Sequence, residues 1–68
     1  MIKNPTIGQE VWFVDYNILN KGFINDLYTS SHVRVTDHNE YREGIILSCG
    51  NIFATKKQAI AYWEKYIL

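Results

Sequence analysis

Ile52-Phe53-Ala54-Thr55-Lys56-Lys57-Gln58-Ala59 carries an apolar pair straight into a helix start. Thr55 suits the N-cap, where its hydroxyl accepts from the backbone N–H three residues on, and Gln58 stands where its amide can return a bond to the Thr55 N–H, the reciprocal capping box. From Ala59 onward the apolar residues recur at helical spacing: Ala59 or Ile60, then Trp63, then Tyr66 or Ile67. That stripe is more than about 100° wide, and Lys56, Lys57, Glu64 and Lys65 fall mostly outside it. The spacing predicts a helix over about 56–67. A helix this short is marginal alone in water, so it must dock, most simply with Trp63 over an open end or edge of whatever precedes it.

What precedes it reads as short strands. Glu10 to Tyr16 is rich in aromatic and β-branched residues. Val11 and Phe13 share one face, and Trp12, Val14 and Tyr16 share the other. Asn17 to Lys21 reads as a turn, and Gly22 to Thr29 as a second strand with Ile24 inward and room at Gly22 for a bend or bulge. His32 to Asp37 alternates most regularly, with Val33 and Val35 against His32, Arg34 and Thr36. After the polar turn 37–40, Tyr41 to Ser48 makes a fourth strand bent at Gly44, and 49–51 turn the chain into Ile52-Phe53. Val11, Phe13, Ile24, Val33, Val35 and Phe53 are the expected core, in one cluster.

Four or five short antiparallel strands in so few residues point to a small barrel rather than a sandwich. With 68 residues, the chain is one domain that buries only about 60% of its unfolded surface. The β body is expected over about 7–54. Aromatic residues make up 15% of the chain, and these large rings supply the buried area that such a small core needs.

The net charge is zero but unevenly spread. Residues 10–44 hold six acids (Glu10, Asp15, Asp26, Asp37, Glu40, Glu43) against Lys21, Arg34 and Arg42, giving −3. Residues 45–68 hold Lys56, Lys57 and Lys65 against Glu64, giving +2, and Lys3 supplies the last positive charge. A body at −3 is a poor footprint for nucleic acid, whose binding rests on neutralised phosphates. The lone Cys49 permits no internal disulfide. No apolar run nears the roughly 20 residues of a membrane helix. Met1-Ile2-Lys3-Asn4-Pro5 lacks the apolar stretch of a signal peptide. A cytoplasmic location is the expectation.

Chemistry-bearing patterns are sparse. His32, His38 and Cys49 do not have zinc-ligand spacing, so neither metal nor cofactor is expected. Ser30, Ser31 and Cys49 lack a base held by a third group, and neighbouring side chains on a strand point to opposite faces, which would separate Ser31 from His32. Gly8, Gly22, Gly44 and Gly50 are too scattered for a phosphate loop. No enzymatic activity is expected. The aromatic residues lead instead: Trp12, Tyr16, Tyr28 and Tyr41 lie on or beside strands, where such rings serve as binding hot spots. Asp15 and Asp26 would rim them. The competing use for Trp12 is a second core with Trp63 under the helix.

The run Gly8-x-x-Val11-x-Phe13, then Gly22-x-Ile24, then Val33-x-Val35, resembles the opening of SH3-like barrels of the KOW and Tudor type. Joined to the capped helix start at 52–59, the chain looks like small uncharacterised phage and mobile-element proteins. The resemblance spans about residues 7–63 and implies a mainly β, SH3-like barrel with one C-terminal helix. It brings no catalytic residue. The function expected is a non-enzymatic protein-binding module, a small phage-type accessory protein that binds and modulates a host protein; the partner is that host protein or another copy. The alternative is a KOW-like nucleic-acid-binding barrel, in which Lys21, Arg34, Arg42 and the tyrosines contact phosphates and stack on bases.

Overall fold

Strand β1, Glu10–Asp15, turns back on itself within two residues. Tyr16 and Asn17 have φ of 52° and 58°, the pair of left-handed residues that makes a type I′ hairpin and matches the twist of its strands. Strand β2 therefore starts at Ile18 and runs nine residues, Ile18–Asp26. The turn expected over Asn17 to Lys21 is instead mostly strand: nothing in Ile18-Leu19-Asn20-Lys21 breaks an extended chain, and Leu19 lies opposite Val14. At its far end β2 stops at Asp26, short of Thr29, and a register shift between Ile24 and Asp26 leaves one residue extra. The Asn25 side-chain amide donates to Thr36 Oγ1 there. The loop that follows is held by Thr29, whose hydroxyl accepts from the backbone of Ser31 and His32.

The computed structural model describes residues 2–37 and 44–66. Strand β3, His32–Asp37, falls where its alternation puts it, and β4, Ile45–Ser48, pairs with it antiparallel. The first part of the expected fourth strand, 41–43, and most of the turn before it lie outside the described residues. The four strands form one antiparallel meander in the order β1-β2-β3-β4, curled into a half-barrel.

The chain then closes the sheet. A single 3-10 turn, Cys49–Asn51, is capped by Ser48, whose Oγ accepts from the Gly50 N–H at 3.3 Å. Phe53 bridges to Trp12 with two backbone bonds of 2.7 and 2.9 Å, so the middle of β1's outer edge is covered. The protein is thus mainly β, the SH3-like architecture expected of it, finished by helix α1 at Lys56–Tyr66. Upstream, Gly8 (φ 90°) ends a tight turn in which the Gln9 N–H donates to the Thr6 carbonyl. Gly8 N–H then donates to Ile24 O, and Ile24 N–H donates to Gln9 O. This is the bulge that a left-handed glycine makes possible.

The core is the inward parity of this meander. Val11, Phe13, Ile24, Val33 and Val35 are buried as expected, joined by Ile2 and Ile52. Phe53 is buried but not in that cluster. Bridged residues share a face of the sheet, so pairing with outward Trp12 turns Phe53 outward and leaves Ile52 to fill the inside. Ile2 reaches the core because its N–H donates to Cys49 O at 3.1 Å.

Helix α1 packs against the β1 side, its Ala59 fully buried. Its main ring contact is Tyr62 on Phe53, centroids 5.1 Å apart. Trp12 and Trp63 are both half-buried, the Trp63 Nε1 is buried with no hydrogen-bond partner among the described residues, and Tyr66 is exposed rather than part of the docked stripe. At the start of α1 the Gln58 N–H donates to Thr55 Oγ1 at 3.2 Å. The return bond from the Gln58 side chain is not made among the described residues, so the cap is one-sided. Thr55→Ala is expected to lower stability by about 0.5–2 kcal/mol, measured as a shift in the urea midpoint at unchanged slope.

Candidate functional site

The expected binding residues do not form one patch. Trp12 lies on the outer face of β1, directly opposite Lys21. Lys21 Nζ sits 5.5 Å from its ring centre and Lys56 Nζ 5.9 Å. The protein's own cations therefore occupy the ring that a Tudor-like cage would offer to a ligand. Lys21 is also 3.9 Å from Glu10, an ion pair at the surface worth little by itself. Trp12 is half-buried, and its role is to hold strand and helix start together.

Tyr16 is at the hairpin tip, 88% exposed, not on the strand face with Trp12 and Val14. Positive φ on two successive residues takes it out of the alternation. Beside it stand Asp15, half-buried at the end of β1, and Ile18, 61% exposed. Asp26 and Tyr28 are exposed at the opposite end of β2, with Leu27 also exposed nearby. Nine residues of strand at about 3.3 Å each separate the two ends by about 26 Å. Two aromatic patches result, one per end of the half-barrel. Tyr41 lies outside the described residues.

Ser31 and His32 meet after all. Ser31 Oγ is 2.9 Å from His32 Nδ1, with Thr29 Oγ1 at 3.4 Å. Ser31 precedes the strand, so alternation does not separate the pair. Both are exposed, and among the described residues no acid holds the imidazole. The cluster orders the β2–β3 loop. Among the described residues no three His, Cys, Asp or Glu side chains gather to hold a metal ion, and no helix is long and apolar enough to cross a membrane. Cys49 packs half-buried against the core.

Between β1 and β4 the half-barrel leaves a groove of about 250 Å³, lined by Val14, Leu47, Asn51, Phe53 and Tyr62. Tyr62 Oη donates to Asn51 Oδ1 at 3.3 Å along its wall. The exposed Ile18 and the groove were both missed in the sequence. Ile18 could have been found by reading Asn17 as a left-handed turn residue; the groove has no local signature. Comparison with protein-family models, curated proteins and solved structures gives no match.

Proposed function

We propose that the protein is a non-enzymatic protein-binding module, a small phage-type accessory protein whose β1–β2 hairpin tip engages a host protein. The observation that carries this reading is Tyr16. A two-residue hairpin of this type is best served by Asn-Gly. A tyrosine held at φ 52° costs about 1–2 kcal/mol relative to an ordinary backbone. The ring recovers none of that cost by burial, since it is 88% exposed. A strained, solvent-facing aromatic at a rigid tip is the form of a residue serving an interface rather than the fold. Ile18 widens the apolar contact, and Asp15 beside it favours a basic partner surface.

The reading separates from a purely structural one by a single substitution. Tyr16→Asn relaxes the turn and is expected to raise the melting temperature by about 4–8 °C per kcal/mol gained. Capture of the partner from host lysate should fall sharply in the same variant. A more stable protein that captures its partner as well as before defeats the proposal. Capture that disappears on nuclease treatment turns the reading to the KOW-like alternative.

A further inference from the structure

The two edges of the sheet are finished differently. On the outer edge of β1 the N–H and C=O of Trp12 are paired with Phe53, and α1 flanks that strand. The outer edge of β4 is not closed by any described element. Cys49 N–H donates to Ser31 O at 2.8 Å, which makes 31 and 49 a hydrogen-bonded pair. By alternation Val33 with Leu47 and Val35 with Ile45 are bonded pairs too, while Arg34 with Ile46 is not. The N–H and C=O of Ile46 therefore point away from β3, along the free edge.

From this geometry we infer that the free edge of β4 pairs with β4 of a second copy, antiparallel about a two-fold axis through Ile46. Unpaired backbone groups in a row specify a strand as occupant. Four features favour this chain's own strand. Gly44 to Ser48 contains none of the devices that keep like edges apart: no Lys, no other charge, no Pro. The β3–β4 register is regular, with no bulge to twist the edge away. An antiparallel pair of identical strands is self-complementary and closed, so it stops at a dimer. The chain has zero net charge and little repulsion between copies. Pairing would also set the outward side chain of Ile46, 41% exposed, beside its counterpart. The edge is only four residues long, so the dimer is weak and concentration-dependent.

Sedimentation equilibrium over a wide concentration range tests this, together with amide hydrogen exchange at Ile46. The mass should rise toward twice the monomer, and the Ile46 amide should gain protection with concentration while Leu47 stays protected throughout. Ile46→Pro removes an N–H that no strand of its own chain uses, and proline is tolerated on such an edge. It should abolish the concentration dependence and leave the circular dichroism unchanged. Ile46→Lys should do the same by charge, and decides the matter if the proline variant fails to fold. A wild-type chain that stays monomeric throughout overturns the inference, even if a different protein supplies a strand to this edge. So does a dimer that persists in a folded Ile46 variant, which would place the contact elsewhere.

Discussion

Phe13→Ala should leave little folded protein at room temperature. Phe13 is 2% exposed and is the largest side chain in the central cluster. Removing a buried phenylalanine ring costs about 3–5 kcal/mol in lost transfer energy plus the cavity left behind. A 68-residue chain at about 0.05–0.15 kcal/mol per residue has only about 3–10 kcal/mol in total. The variant should show a urea transition shifted to or below zero denaturant, with loss of the far-ultraviolet β signal. A melting temperature close to wild type would mean that the sheet's inner face has a different centre from the one described.

Gly22→Ala should be comparably severe for a different reason. A Cβ at this buried position would stand 2.6 Å from Thr36 O and 2.8 Å from Val35 Cγ1. The carbonyl belongs to the adjacent strand and cannot retreat without opening the β2–β3 pairing. Overpacking of this kind costs about 1–3 kcal/mol where side chains yield, and more where backbone must move. Gly50→Ala is the control: its Cβ would meet only Ser48 Oγ at 3.6 Å, and its stability should stay within about 0.5 kcal/mol of wild type. Thermal denaturation of the two variants side by side reads the difference. Equal behaviour would remove the claim that β2 and β3 need a missing side chain at position 22.

What could be read from the sequence was whatever repeats locally. The alternation of Val33 and Val35, the parity of Val11 and Phe13, and the Thr55 cap each depend on residues a few positions apart. The turn at Tyr16-Asn17 was hidden because tyrosine is not a turn former, and because Asn17, Asn20 and Lys21 together look like a loop. The alternation of β4 does not carry through the 3-10 turn at 49–51, so nothing local tells that Ile52 rather than Phe53 fills the inside. Ile2 gives no local signal, since what fixes it is Cys49, distant in sequence. The binding patch failed as a unit for a related reason: whether Tyr16 and Tyr28 are neighbours depends on the length of β2, which in turn depends on the unrecognised turn. Residue types suggested rings at the surface, and only the topology could say which rings share one.

The bridge from Phe53 to β1 also has a consequence for the order of folding. The meander is built from strands that are neighbours in sequence and can assemble by local steps, but the residue that pairs with Trp12 lies about forty positions away. A chain whose sheet has formed before 52–53 dock would carry two bare edges. At high protein concentration those edges face identical partners. The docking of Phe53 therefore sets how long β1 can be captured by a neighbour, and refolding at rising concentration should lose more chains to aggregation if that step is slowed.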